Sequence, residues 1–237
     1  MPVALITGAS RGLGLSLAHG LAERGWTLVL TARGTDELAW AAADLRTETT
    51  VIAVAGDVSD PAHRRRLTHT VSGLGELDLL VNNAGTLGLS PLPPLADYPA
   101  AALEEAFRIN TIAPLALVQA FLPRLRASRG TVLNITSDAA IEHYPGWGGY
   151  GATKAALDHI TGTLAAENPE IRFHAVDPGD MRTAMHQEAF PGQDISDRPE
   201  PGTVVPAFLA LLDRHPPSGR HRAADIATPT PAQEMSR

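Results

Sequence analysis

Short apolar runs alternate with stretches of helical periodicity along nearly the whole chain. The runs fall near residues 3–7, 27–31, 50–55, 77–82, 130–136 and 171–176. They are short, rich in β-branched residues and apolar at consecutive positions, so both faces of each strand must be buried. Strands of that kind belong in a parallel sheet covered by helices on both sides. The pattern therefore predicts an α/β protein with a doubly wound parallel sheet. Two of the intervening helices are long, near 100–127 and 149–167, and residues 218–226 are a weaker candidate for a last strand.

Each predicted strand end is followed by glycine, asparagine or aspartate: Gly56-Asp57-Val58, Asn82-Asn83-Ala84-Gly85, Ser137-Asp138 and Asp177-Pro178-Gly179. In open α/β sheets ligands collect outside the carboxyl ends of the strands, so these turns are expected to line one crevice. The first strand, from Val3, runs into Thr7-Gly8-Ala9-Ser10-Arg11-Gly12-Leu13-Gly14 and then an alanine- and leucine-rich helix. Glycines let the backbone approach a ligand closely, and the free amides and dipole of a helix start favour a pyrophosphate. The glycine spacing is Gly-x3-Gly-x-Gly.

Among 19 lysines and arginines only one is lysine, Lys154, and it lies four residues after a tyrosine in Tyr150-Gly151-Ala152-Thr153-Lys154. Lysine is a compact ammonium that can share a proton, whereas arginine is a permanently charged fork, so the two do not exchange at a proton-handling site. On a helix, positions 150 and 154 share a face.

The 237 residues suffice for one large α/β domain, and no proline-, serine- or charge-rich linker divides them. A single domain over 1–227 is expected, with the polar, proline-containing 228–237 as a flexible tail. Zero cysteines exclude a disulfide scaffold and thiolate chemistry, and no metal site is expected. A formal charge of -7 argues against nucleic-acid binding, and the one basic run, Arg64-Arg65-Arg66, reads as a solvated helix face. The apolar start is too short for a secretory signal, and no apolar run approaches the roughly 20 residues of a membrane span. These features lead to the expectation of a soluble cytoplasmic protein without a membrane partner.

From Val3 to about Thr183 the residues resemble the short-chain dehydrogenase/reductase family in its compact, single-domain branch, which has a Rossmann-type fold. The resemblance rests on an ordered set: Thr7-Gly8-x3-Gly12-x-Gly14, Asp57-Val58, Asn82-Asn83-Ala84-Gly85, Asn110, Ser137, Tyr150-x3-Lys154 and Pro178-Gly179-x3-Thr183. It implies a catalytic quartet of Asn110, Ser137, Tyr150 and Lys154. Tyr150 would exchange a proton with the substrate oxygen while hydride passes to or from a nicotinamide. Ser137 would hydrogen-bond that oxygen, Lys154 would also hold the nicotinamide ribose, and Asn110 would position a water linking Lys154 to solvent. Read alone, Ser137 is a turn cap and Asn110 a buried structural amide.

A free phenol, with a pKa of about 10, is a poor proton-transfer group near neutrality. An ammonium at ~4 Å in an effective dielectric of about 20 would favour the phenolate by about 4 kcal/mol, an upper value because burial opposes it. A lowered Tyr150 pKa is the expectation.

The resemblance also implies that Gly8, Ser10, Arg11, Gly12, Leu13 and Gly14 hold the cofactor's phosphates, that Asp57 caps the adenine with Val58 beside it, and that Asn83, Ala84 and Gly85 lie against the adenosine ribose. Pro178, Gly179 and Thr183 would flank the nicotinamide, and Asn82 would stabilise the sheet. An NAD site usually has an acid about 20 positions after the glycine turn. Here Ala32 stands at that place, followed by Arg33, and Arg11 lies within the turn, so the expected cofactor is NADP(H) with Ser10, Arg11 and Arg33 on its 2′-phosphate.

A small carbonyl or alcohol substrate is expected between a wall of Glu142, His143, Tyr144 and Trp147 and a lid over 184–202 that orders on binding, with Met181, Met185 and His186 facing the wall. Asp138 makes a purely apolar substrate a poor match. Family members often pair through their two long helices, implying a homodimer or homotetramer. A cofactor-sensing regulator without turnover, and an epimerase or dehydratase of the longer branch, remain as alternatives.

Overall fold

In the computed structural model, which describes residues 1–227, seven parallel strands form one sheet in the order β3-β2-β1-β4-β5-β6-β7. They are β1 (Val3–Thr7), β2 (Thr27–Thr31), β3 (Val51–Ala53), β4 (Leu79–Asn82), β5 (Thr131–Ile135), β6 (Arg172–Asp177) and β7 (Gly219–Arg222). The six expected strands all form, with β3 and β4 two or three residues shorter than their apolar runs. The expected tail, 228–237, lies outside the described residues.

The helices are α1 (Gly12–Ala22), α2 (Thr35–Leu45), α3 (Pro61–Ser72), α4 (Ala100–Phe107), α5 (Ala113–Ser128), α6 (Gly148–Glu167), α7 (Ala184–Ala189), α8 (Val205–Arg214) and α9 (Ala223–Ala227). Alternation along β1 sends Ala4 and Ile6 into a core with Leu17 and Leu21 of α1, Leu38 of α2 and Phe208 of α8. Val3 and Leu5 point the other way, toward Leu67 of α3 and Leu117 and Phe121 of α5. Two cores on opposite faces of one sheet explain why the strands read as unbroken apolar runs. Chain order reverses between β1 and β4, and this reversal opens the crevice at their carboxyl ends.

The expected long helix near 100–127 is interrupted. Between α4 and α5 the residues Arg108–Ile112 form a π-helical turn, so Ala100–Ser128 is continuous but bulged at Asn110. Such bulges insert one extra residue and re-aim side chains, often at functional sites. By length and composition these 29 residues could cross a membrane, which corrects the expectation that no segment approaches that size. Half of the apolar window is buried inside the protein.

Two of the three residues in the basic run are also not simply solvated. Arg64 Nη1 donates to Val58 O at 2.8 Å, and Arg66 Nη2 donates to His63 Nδ1 at 3.0 Å. Because Nδ1 accepts, Nε2 carries the proton and donates to Thr31 Oγ1 at 2.7 Å. Fully buried His63 thus ties the end of β2 to α3, beneath the loop that carries Asp57.

On the far side of the sheet, His174 of β6 is 1% exposed and shares a 3.0 Å hydrogen bond with His221 of β7. Burial, then the neighbouring His221 and Arg172, hold it well below its usual range, at about 4. The folded state keeps this ring neutral while the unfolded chain takes up a proton below about 6.5, so stability is lost as pH falls between those values. The loss attributable to His174 should be on the order of 2 to 3 kcal/mol. His63 acts in the same direction, so the comparison must be with a variant. Denaturant unfolding from pH 7 to 4 should show a shallower acid loss in His174→Gln than in the wild type; equal slopes would refute the assignment.

Candidate active site

The glycine turn is held from below by a hydroxyl. Thr7 Oγ1 donates to Val81 O at 3.2 Å and accepts from the amides of Asn83 at 2.9 Å and Ala84 at 3.0 Å. Asn83 Nδ2 returns the bond to Thr7 O at 2.9 Å and Gly8 O at 3.1 Å. The ends of β1 and β4 are thereby clamped across the switch point. Gly8 has a φ of 65°, and a Cβ there would lie 2.8 Å from Asn83 Nδ2; a Cβ on Gly14 would strike Gly8 O. The clamp therefore requires glycine at both positions.

The same turn fits a dinucleotide. Arg11 at the start of α1 offers no side-chain cap, the first turn carries no acid, and Leu13 and Gly14 are buried behind it. Uncapped amides at the positive end of an 11-residue helix suit a pyrophosphate. Arg11 and Arg33 are exposed, and among the described residues neither pairs with a carboxylate within bridging distance. Ser10, the residue before Arg11 in the turn, is partly buried. Asp57 accepts from the Ser59 amide at 2.7 Å. Burial would raise its pKa, but the Ser59 hydrogen bonds and the charges of Arg108 and Arg33 outweigh this and keep the carboxylate ionised. Val58 is buried beside it.

α6 brings the proton-handling side chains to the crevice. A Cβ on Gly151 would strike Ala139 O, so glycine lets α6 lie directly against the turn that follows β5. Lys154 is 4% exposed, donates from Nζ to Ile135 O at 2.7 Å, and lies 5.5 Å from the centre of the Tyr150 ring. Burial depresses its pKa from 10.5 to about 8, with Asp158 opposing.

Tyr150 does not show the expected lowering. Burial raises its pKa above the ordinary phenol range, Asp177 and Asp138 add to the rise, and a hydrogen bond with Ser137 only partly opposes it. The ammonium lies over the ring and spends its short hydrogen bond on β5, so within the protein alone desolvation wins over the Coulomb attraction.

Asn110 and Ser137 have structural partners as well. Asn110 Oδ1 accepts from Thr86 N at 2.8 Å, and Nδ2 donates to Thr86 O at 2.8 Å and Thr153 Oγ1 at 3.0 Å. These bonds tie the π turn to the loop after β4 and to α6. A Cβ placed on Gly85 would lie 3.3 Å from Asn110 Oδ1 and 3.8 Å from Lys154 Nζ, which brings three of the expected residues to one point. Ser137 Oγ accepts from Ala139 N at 3.2 Å and donates to Asp138 Oδ1 at 2.9 Å. Asn82 Nδ2 donates to Asn134 Oδ1 at 2.8 Å inside the sheet, in keeping with a structural role.

Tyr150 is packed into an apolar cluster with Leu87, Ala139 and Ala189, against which Leu92, Trp147, Met185 and Phe190 lie. Trp147 stands edge-on to Tyr150 at 5.8 Å and faces Phe190 at 6.1 Å. Of the expected wall, Trp147 is in place and Tyr144 donates to Asp138 Oδ2 at 3.0 Å, whereas Glu142 and His143 are exposed. Of the lid residues, Met185 packs against the cluster around Tyr150, Met181 packs on the α1 side, and His186 is buried under Arg198.

The lid already has internal order. Thr183 accepts from the His186 amide and caps α7, Arg182 N donates to Pro199 O at 2.8 Å, and Gln187 Nε2 donates to the carbonyls of Phe190 and Gln193. Thr183 Cγ2 lies 3.6 Å from the place a Cβ on Gly12 would take, so the loop from Pro178 and Gly179 to Thr183 closes over the glycine turn. Leu87, Leu92 and Phe190 were missed in the sequence, where scattered apolar residues on connections lack periodicity.

A family model described as short chain dehydrogenase matches residues 2–194. An uncharacterized oxidoreductase of Schizosaccharomyces pombe is 30% identical over 183 residues, 77% of this chain and 72% of its own. An L-xylulose reductase of Aspergillus niger is 34% identical over 206 residues, 77% of this chain and 68% of its own. The solved structure of an alcohol dehydrogenase from Thermococcus sibiricus, complexed with 5-hydroxy-NADP, superposes with a TM-score of 0.85 at 30% identity, covering 94% of this chain and 95% of that one. With the glycine turn, the sheet order and the Tyr150–Lys154 pair at the same crevice, the chain belongs to the short-chain dehydrogenase/reductase family.

Proposed function

We propose that this protein is an NADP(H)-dependent oxidoreductase acting on a small carbonyl or secondary alcohol, with Tyr150 as the proton-transfer group. The observation that carries the reading is the buried Tyr150–Lys154 pair beside Ser137, at the mouth of an uncapped glycine turn flanked by Arg11 and Arg33. The bound cofactor supplies or accepts the hydride. Tyr150 gives its proton to the carbonyl oxygen, and its raised pKa keeps that proton in place at neutral pH. Ser137 would share the same oxygen, and Lys154 would hold the cofactor's ribose and, through a water positioned by Asn110, return a proton from solvent to Tyr150.

Arg33 and Arg11, neither of them bridged to a carboxylate among the described residues, suit a 2′-phosphate, and the Thermococcus sibiricus neighbour binds an NADP derivative. Leu87, Trp147 and Phe190 belong to the apolar cluster around Tyr150, and Tyr144 donates to Asp138 beside Ser137, a combination that suits a carbonyl on an apolar body that also carries a hydrogen-bond donor. Ile112, 54% exposed on the bulged helix, suits pairing of two copies through the long helices.

NADPH oxidation across ketones, aldehydes, quinones and β-keto esters should reveal turnover that falls by roughly 10²- to 10⁴-fold in Tyr150→Phe, with NADPH affinity kept. Unchanged turnover in that variant would refute the role of Tyr150, and tight NADPH binding with no turnover on any substrate would favour a sensor. Arg33→Ala should reduce the preference for NADPH over NADH by about tenfold or more, read as the ratio of kcat/KM values; an unchanged ratio would move the phosphate contact elsewhere. Because the phenol holds its proton, carbonyl reduction should vary little between about pH 6 and 8 while alcohol oxidation rises with pH. A reduction rate that falls steeply over the same range would contradict the raised Tyr150 pKa.

A further inference from the structure

On α6 the residues Tyr150, Lys154 and Asp158 succeed one another at four-residue intervals, so they form one stripe down the buried side of the helix. The proposed chemistry uses the first two. Asp158 is one turn further from the crevice, 16% exposed at its side chain, and its Oδ1 is buried with no hydrogen-bond partner among the described residues. Its other oxygen meets Arg220 of β7.

Arg220 is a quarter exposed and reaches three elements at once. Nε donates to Asp158 Oδ2 at 3.0 Å, Nη2 donates to Ser137 O at 2.9 Å, and the same Nη2 lies 3.6 Å from Asp177 Oδ2. These contacts fall on α6, on the turn after β5 and on the end of β6. Ser137 is the residue expected to hold the substrate oxygen. Asp177 precedes the Pro178-Gly179 turn. The guanidinium therefore closes a ring that runs from Ser137 to Tyr150, Lys154, Asp158 and back through Arg220.

We propose that Arg220 is a positioning residue for the reaction: it holds the Ser137 main chain against α6 and sets the charge environment of Lys154 through Asp158. This rests on the proposed function. Arginine is required because one planar fork must satisfy a carbonyl and a carboxylate in different directions, which a lysine does only in part. Asp158 on its own helix is the charge that acts on Lys154, Asp177 on β6 and Asp138 after β5 act on the neighbouring Tyr150, and Arg220 on β7 meets both Asp158 and Asp177. Asp158 favours the ammonium, and the Arg220 guanidinium, bonded to Asp158 Oδ2 at 3.0 Å, offsets part of that negative charge. Removing Arg220 should therefore raise the Lys154 pKa, and removing the Asp158 charge should lower it.

Lys154 is the chain's single lysine, so an NMR pH titration of protein labelled with 15N-lysine reads this one amine without any dependence on turnover. The full-length protein and its Arg220→Gln and Asp158→Asn variants, each still with one lysine, should be titrated, and these and Arg220→Lys should be melted. The same set should then be assayed with NADPH against ethyl acetoacetate and phenanthrenequinone, with Tyr150→Phe as the reference.

The expected result is a Lys154 midpoint that moves up in Arg220→Gln and down in Asp158→Asn. Arg220→Gln should also lose kcat by about 100-fold with little change in NADPH affinity, and Arg220→Lys should regain part of it. Unmoved midpoints in the folded glutamine and asparagine variants would overturn the inference. So would a loss of activity that tracks melting alone and is not rescued by lysine. If Tyr150→Phe is as active as the wild type, the functional reading fails instead, and the Lys154 titration still decides whether the charge ring exists.

Discussion

The site depends on the burial of one ammonium. Lys154 is nearly inaccessible, and a cation removed from water must be compensated by dipoles and charge in fixed places. Here the compensation comes from the Ile135 carbonyl at the end of β5 and from Asp158 one turn along the helix. Both require α6 to lie close against the sheet, and glycine at 151 permits that approach. The π turn at Asn110 then closes the remaining side, because its amide bonds Thr86 and Thr153 and brings the loop after β4 over the lysine.

The two members of the pair are displaced in opposite directions by the same cause. Burial penalises whichever form is charged, so it lowers the ammonium's pKa and raises the phenol's. Asp177 and Asp138 reinforce the rise at Tyr150, and Arg220 faces Asp177 across the end of the sheet. Tyr150 thus keeps its proton while Lys154 lies nearer its own titration, and burial by itself leaves the phenol a weaker acid than a free one. Charges on four different elements produce this balance, and no local segment could.

Much of this was legible because it is periodic or local. The strand runs at 3–7, 27–31 and 130–136 met their observed bounds closely, since burial on both faces leaves a continuous apolar signature. The glycine turn was legible because only glycine tolerates Gly8's positive φ and the close approach at Gly14. The pair 150/154 was legible because helical geometry places such residues on one face. The direction of the Tyr150 shift was not legible. It turns on whether the ammonium faces the phenol oxygen or the β5 carbonyl, a matter of packing between separate elements.

The sequence by itself determined the α/β architecture, the position of the crevice at the strand ends and the family's ordered residues, because these follow from hydrophobic period, chain direction and backbone stereochemistry. Only the tertiary structure decided that Asn110 sits in a π bulge, that Arg64 braces the Asp57 loop while Arg66 fixes His63, that Leu87, Leu92 and Phe190 pack around Tyr150, and that Arg220 reaches Ser137 from 83 positions away. Each of these is a contact between distant segments. Its energy depends on the distance and desolvation created by the assembled sheet, and neither quantity is written into residue types or spacing.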